Sequence, residues 1–550
     1  MTWYGPDPTS GGPFQIWQTG AVGPKVTGVN PASATPGQAA LPVTVMGSDF
    51  QSGATLTLTG PCTMGPVATT GSGGTLNATL DPTGKTPGDY KVTVTNPDLI
   101  KGSKDKAFTV NAPPPPPPPP PTPTTWYLAE GTNAWGFSTY ITIENPNTDA
   151  VHAKLTYMDP NAPASGKGIV GTRTIDLAPL SQTTVSSYAD IGAVDFSTKV
   201  ECTEGKTIAV DRTMFWTGPG YSPDQSGYHS SIGTTTPSKT WYLAEGSSAW
   251  GFETWTLVEN PNDTQVNVTL TYMTESGPIP VNKTVPAYSR ASCNMAADIG
   301  AADASIKVTS DVAVVAERSM YRNNRREGSC SIGATTPATD YFLAEGACGY
   351  DVGFSTYVLI QNPNDSDVEV TLTYQTQSGP KPQAPFTMGA NSRRTVRVND
   401  ALPPNTDVST TVHGSKPIIA ERSMYWGADT PLGEAMHASV GLDSAHISFY
   451  LPDGQTSDGF ETWTLVQNPN PGAVTVRITY LPQNGGTPIS FTDEIPPGTR
   501  STYSMADKLT SGRASIRVES LDGARPVIVE RAMYWNSRGA GTDTIGGFSD

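Results

Sequence analysis

The histidines, cysteines and carboxylates of this chain are the groups that could carry chemistry, so their spacing is read first. The five histidines are His152, His229, His413, His437 and His446. None stands in a His-Glu-x-x-His arrangement, which sets two imidazoles on one helix face around a zinc ion. Asp365 and Asp367, in Asn364-Asp365-Ser366-Asp367, offer hard oxygens to a calcium ion. The plainer reading is a solvated acidic tip. No Gly-x-Ser-x-Gly elbow, phosphate-binding loop or dinucleotide fingerprint occurs. Paired carboxylates of the glycosidase kind are present in every repeat, with no unique cleft to single out. The sequence thus predicts no enzyme, catalytic residue, cofactor or metal site. Of five sparse cysteines, only Cys330 and Cys348 are close in sequence. They flank a repeat junction, as one bridge or as two free thiols.

One charged pattern does recur. Glu130 accompanies Arg212, Glu245 accompanies Arg318, Glu345 accompanies Arg422, and Asp453 accompanies Arg531. A reaction site is not normally copied four times in tandem, so the expected role is structural. Each arginine should pair with a carboxylate at a sheet end or a junction between repeats. Such a pair is worth about 0–1 kcal/mol if exposed, and costs more to break if buried.

The elements that position these residues come from three motifs repeated in the same order. Trp126-Tyr127-Leu128-Ala129-Glu130-Gly131 returns at Trp241–Gly246, at Tyr341–Gly346 and, weakened, at Phe449–Gly454. Asn-Pro-Asn follows, with its prolines at 146, 261, 363 and 469. Arg-x-Met closes each set. A period of ~100 residues exceeds a solenoid unit and matches a self-contained domain. After Asn-Pro-Asn, Val266, Val268, Leu270 and Tyr272 alternate with polar residues, which predicts a strand with one buried face. Another strand precedes the motif, so strand, Asn-Pro-Asn, strand reads as a hairpin. A third strand comes late, as at Pro417–Trp426. Short strands without helical periodicity predict an all-β chain of tandem Ig-like sandwiches.

Composition narrows the class. The 550 residues carry 34 Lys and Arg against 50 Asp and Glu, a net charge of −16. That balance opposes a nucleic-acid partner. Only 15% of residues are charged, and Gly (55) and Pro (50) are abundant, which argues against helical bundles and coiled coils. No apolar run reaches the ~18 residues of a membrane helix. The first residues carry no secretory signal pattern. The Thr-, Ser-, Gly- and Pro-rich acidic composition favours a mature chain at the cell surface or outside the cell over a cytosolic one.

Residues 23–111 differ from the repeats. They contain Val43-Thr44-Val45-Met46-Gly47-Ser48-Asp49-Phe50 and Tyr90-Lys91-Val92-Thr93-Val94-Thr95-Asn96, and on these residues the segment resembles an IPT/TIG domain, an Ig-like module. The four later units resemble the Trp-Tyr-aromatic-Ala-Glu-Gly repeats of bacterial cell-surface and secreted proteins. Both resemblances imply display outside the cytoplasm, and neither implies an enzyme. The expected plan has five sandwiches. An extension at 1–22 precedes the IPT/TIG-like domain at 23–111 and a polyproline linker at 112–124. Repeats follow at 125–238, 239–338, 339–446 and 447–550. Nine prolines, Pro113 to Pro121, make a polyproline II spacer about 30 Å long at ~3.1 Å per residue, or a docking rod for aromatic grooves.

The aromatic residues Trp126, Trp241, Trp255, Trp463, Trp216, Trp426 and Trp535 either fill cores and joints or stack on sugars. The ends suggest a partner. Each internal repeat closes on Ser-Ile/Val-Gly and is followed by the next opening strand, but the last repeat stops after Thr544-Ile545-Gly546. The chain begins Thr2-Trp3-Tyr4, like an opening strand with no sandwich behind it. The expectation is therefore a rod that polymerises head to tail. Trp3, Tyr4, Phe14 and Trp17 of one copy would dock against Trp535 and Ile545 of the next by strand addition. Exposed tryptophans would instead favour an adhesin or stalk that binds a cell-surface glycan.

Overall fold

The computed structural model describes residues 22–34, 40–111, 123–159, 168–217, 227–428, 430, 433–523 and 525–549. Trp3, Tyr4, Phe14, Trp17 and the proline run lie outside the described residues. The protein is an all-β chain of tandem β-sandwiches, in two compact units that divide at residue 118.

In the first unit a three-stranded sheet (Lys25–Asn30, Leu41–Phe50, Thr70–Leu80) faces a five-stranded one. Alternate residues of each strand point inward, so Val43, Val45, Leu56, Leu58, Tyr90, Val92 and Val94 share one core. Asn96 is buried and ties the Gly-Ser-Asp-Phe turn. Its Nδ2 donates to the Asp49 carbonyl at 2.9 Å, and its Oδ1 accepts from the Gln51 amide at 3.1 Å.

In the second unit each repeat is one sandwich. In repeat one, a sheet orders Ile169–Leu177, Val151–Met158, Ser197–Cys202 and Thr125–Leu128. The other orders Ser181–Ser186, Phe137–Asn145, Ala209–Trp216 and Gly227–Ile232. In repeats two and three the late strand is continuous (Ala304–Arg322, Thr406–Trp426) and passes from one sheet into the other. The alternation after Asn-Pro-Asn is a buried face: Val266, Val268, Leu270 and Tyr272 all lie in the core.

Asn-Pro-Asn is an arch between sheets, not the expected hairpin. Phe137–Asn145 pairs with strands of one sheet and Val151–Met158 with strands of the other. The buried first asparagine explains this. Asn260 Nδ2 donates to the carbonyls of Thr264 (2.8 Å), Val285 (3.1 Å) and Pro286 (2.7 Å). Its Oδ1 accepts from the Asn262 amide at 3.0 Å. The side chain thus satisfies backbone groups that a hairpin ladder would have used. All four repeats share the arrangement.

A late edge strand of each repeat, Gly227–Ile232, Glu327–Ile332, Ala435–Val440 or Ala540–Ile545, packs against its counterparts in both neighbouring repeats. We call these the hub strands. Repeat one meets two, two meets three, three meets four, and four meets one. The four repeats therefore close a ring and do not form the expected rod. A hub strand is a sheet edge, and its free amides find hydroxyls on the neighbouring hub. Ser230 N donates to Thr542 Oγ1 at 2.7 Å, Ile232 N to Thr544 Oγ1 at 2.9 Å, and Val440 N to Ser331 Oγ at 2.9 Å. Ser and Thr repeat there because an edge without such partners would be left unsatisfied.

The last repeat lacks no strand. Its opening strand Ser448–Leu451 pairs with Ala514–Ser520 on one side and with Gly547–Ser549 on the other. The other repeats make the same closure through Tyr127 to Thr234, Tyr242 to Ala334 and Phe342 to Leu442.

Candidate functional site

The recurrent arginines meet at the joints of the ring, and all four are buried. Arg212 pairs with Glu130 of its own repeat at 3.1 Å and with Glu317 of repeat two at 2.6 Å. Arg318 pairs with Glu245 at 3.2 Å and with Glu421 of repeat three. Arg422 pairs with Glu345 at 3.1 Å, and with Glu530 and Asp543 of repeat four at 3.4 and 2.5 Å. Arg531 pairs with Asp211 of repeat one at 2.8 Å. Every arginine thus joins its own repeat to the next, and the fourth closes the circle.

The fourth pair departs from expectation. Arg531 takes the backbone carbonyl of Asp453 at 2.8 Å. The Asp453 carboxylate goes to Arg513 (3.0 Å), Gln182 (3.1 Å) and Thr213 (3.0 Å). Aspartate is one methylene shorter than the glutamates at the equivalent places.

The acid before each arginine is the half of the network that motif reading missed. The signal was present: Asp211-Arg212, Glu317-Arg318, Glu421-Arg422 and Glu530-Arg531 are all acid–Arg dipeptides. Burial alone would push Glu130 up, but Arg212, His229 and Ser319 hold it below the usual carboxylate range. Burial wins at Asp211, raised to about 6 despite Arg531. Burial likewise pushes His229 and His437 down to about 4, so both are neutral at pH 7.

Glu130, His229 and Cys330 place three metal-ligating atoms within 4.8 Å of one another, the one such cluster among the described residues. Arg212 already occupies it, donating to Cys330 Sγ at 3.0 Å and pairing with Glu130. A metal cation would have to displace or oppose that guanidinium, so the residues present do not fit one. Cys330 and Cys348 are both free thiols, which corrects the bridge alternative. Cys330 lies on the hub strand of repeat two, whereas Cys348 lies in the short strand Ala347–Cys348 of repeat three.

Most of the named tryptophans pack into cores and joints, and Trp426 and Trp463 also line clefts at the joints. Trp126, Trp241, Trp216 and Trp426 are buried, and Trp255, Trp463 and Trp535 are partly buried. Trp535 stacks on Phe460 and contacts Phe215 and Tyr228 of repeat one. Ile545 is buried on the fourth hub strand. Both therefore take part in the joint that closes the ring.

Different aromatics face solvent. Trp135 is 77% exposed, Trp250 82% and Tyr350 42%. They hold equivalent places in three repeats, each with a left-handed backbone (φ 59°, 57° and 62°). Repeat four has Asp458 there, at φ 56°. The available signal was Ala-Trp-Gly, a large aromatic in a loop beside a glycine.

Trp250 and Tyr350 rim clefts at two of the joints. An arginine from the next repeat reaches across each of three joints. Arg290 donates to the carbonyl of Gly131 at 2.7 Å, Arg393 to that of Gly246 at 3.3 Å, and Arg500 to that of Gly346 at 2.9 Å. Gln182 holds the equivalent place at the fourth. The joint between repeats two and three has a cleft of about 730 Å³, and that between three and four one of about 290 Å³. In the smaller cleft, Arg538 lies 5.2 Å over the Tyr534 ring and pairs with Glu461 at 2.8 Å. Arg325 and Glu253 make the same cover between repeats one and two, at 2.6 Å. Between two and three, Ser355 stands in place of that glutamate, and the turn of repeat three lacks the arginine.

No family model matches the chain, and no curated protein matches it. Among solved structures, Thermotoga maritima 1070 is 12% identical at a TM-score of 0.18, with 20% of this chain and 96% of that one covered. The Anabaena sensory rhodopsin transducer is 25% identical at 0.14, with 15% and 92% covered. The gamma-CGTase from Alkalophilic bacillus clarkii is 14% identical at 0.13, with 40% and 26% covered. At these TM-scores none of the three carries an argument about fold or function.

Two further joint positions complete the geometry. The residue before Asn-Pro-Asn is Glu144, Glu259, Gln361 or Gln467, buried in every repeat. Gln361 Nε2 reaches Met273 Sδ at 3.2 Å, and Gln467 donates to Gln375, each across a joint. The two glutamates make no hydrogen bond of normal geometry, and burial raises both well above the usual carboxylate range.

Proposed function

We propose that this protein is a non-catalytic extracytoplasmic surface protein whose four-repeat ring is a rigid adhesive head. The observation that carries the reading is closure. Arg531 is spent on Asp211 of the same chain, and the opening strand of the last repeat is paired on both sides. A ring closed in this way is a finished body, and its accessible chemistry lies at the clefts. The proline run and the IPT/TIG-like unit precede this head in sequence, as in a displayed protein.

The filament is the second reading. It is favoured by Thr2-Trp3-Tyr4, which repeats the opening-strand motif. Head-to-tail polymerisation would need an acceptor other than the last repeat's opening strand.

Sedimentation velocity and negative-stain microscopy of the full chain, with and without residues 1–22, separate the two. Monomeric particles with a compact head in both samples are expected. Filaments that vanish on truncation would overturn the adhesive-head reading in favour of the structural polymer.

A further inference from the structure

We infer that the open cleft between repeats two and three binds a neutral oligosaccharide, with Trp250 as its stacking platform. This rests on reading the ring as a binding head.

Trp250 is 82% exposed, and its left-handed backbone holds it out from the sandwich. An indole in water gains nothing from that position and forgoes burial of a large apolar surface. Its Nε1 donates to Asp303 Oδ2 at 3.4 Å, which orients the ring face at the cleft rim. In the same cleft, the Arg322 guanidinium lies 5.2 Å from the rings of both Phe252 and Tyr425. Tyr357 stands edge-on to Tyr425 at 5.6 Å. The volume, about 730 Å³, is that of a small-molecule site.

The charges select the ligand class. Arg322, Arg393 and Arg394 line the cleft together with Glu245, Glu275, Asp303 and Glu434. Arg322 is held by Glu327 at 2.9 Å and Glu434 at 3.2 Å. Arg394 lies 3.9 Å over the Phe386 ring. With cations and anions both present and near balance, a strongly anionic or cationic ligand meets repulsion along with attraction. A hydroxyl both donates and accepts, so a polyol satisfies guanidinium and carboxylate neighbours alike. Pyranose rings add an apolar C–H face that lies on an indole. Neutral sugar is the class that uses the whole lining.

The equivalent joints supply an internal control. Trp135 holds the equivalent loop position in repeat one and is 77% exposed, and the joint between repeats one and two carries the Arg325–Glu253 cover.

The test is binding of a panel of neutral glucan, mannan, galactan and chitin oligosaccharides to the full chain. Calorimetry and tryptophan fluorescence are the readouts. At least one oligosaccharide should bind, Trp250→Ala should weaken it tenfold or more, and Trp135→Ala should leave it unchanged. Both side chains are exposed, so neither variant threatens the fold. Any of three results would overturn the inference: no neutral sugar bound, binding untouched by Trp250→Ala, or preference for acidic glycans that salt abolishes. None of these would alter the particle shapes that test the head itself.

Discussion

The joint between repeats three and four and the joint between two and three use equivalent residues to opposite ends. Both have a buried arginine pairing two repeats, Arg422 in one and Arg318 in the other. Both have a cross-joint arginine, Arg500 or Arg393, and an aromatic floor. They part at the rim. Arg538 and Glu461 of repeat four cover one floor; at the other, Ser355 replaces the glutamate and the arginine over the Tyr425 ring is Arg322 of repeat two, paired with Glu434. The buried pairs tie neighbouring repeats together, and on the proposed reading the rim positions govern whether a ligand can enter.

If interior and rim are separable in this way, Arg318→Ala and Arg422→Ala should be the most damaging changes, at both joints. Each strands buried carboxylates, at a cost of about 3–5 kcal/mol. Chemical denaturation measures it. A loss at one joint only would break the comparison.

The next effect sharpens it through pH. Glu144 and Glu259 occupy places where the compared joints carry Gln361 and Gln467. Arg517 lies near Glu144, while Glu317 and Lys199 lie near Glu259. Burial raises the folded pKa of both carboxyls, so they weaken the fold as pH climbs above the unfolded carboxylate value. Glu259→Gln should therefore be neutral near pH 4 and stabilising at pH 8, by about 1–3 kcal/mol. Melting curves at the two pH values decide this. Equal gains at both would mean the carboxyl ionisation is irrelevant.

The smallest change in stability should carry the most information about function. Glu461→Ser with Arg538→Ala converts the covered joint to the open pattern. The partly exposed pair is worth about 0–1 kcal/mol, so the melting temperature should barely move. The number of saccharide sites found by calorimetry should rise, with Tyr350 at the new rim. An unchanged count would show that the cover does not control access.

Much of the fold was legible. Alternation such as Val266, Val268, Leu270 and Tyr272 reports directly which face a strand buries. The Asn-Pro-Asn arch was not, because a turn motif says where the chain reverses and not which sheet it joins. The ring was hidden for another reason. Hub strands such as Gly227–Ile232 are rich in Gly and Ser, and their burial comes from neighbouring repeats about 100 or more residues away. Arg212 and Glu130 could be paired from their recurrence. Glu317 escaped because its partner is in the preceding repeat. Trp250 escaped because a lone loop tryptophan has meaning only beside the cleft it rims.

Asp211 and Arg531 stand 320 residues apart in the chain. During synthesis the first repeat leaves the ribosome long before its cation exists. Until then Asp211, Ser230 and Tyr228 face water on an unfinished edge. Long-range closure of this kind comes late in folding. The fourth hub strand, Ala540–Ile545, therefore acts as a completion mark: a product cut short before it lacks Thr542 and Thr544, the partners of Ser230 and Ile232, and leaves that strand edge unpaired.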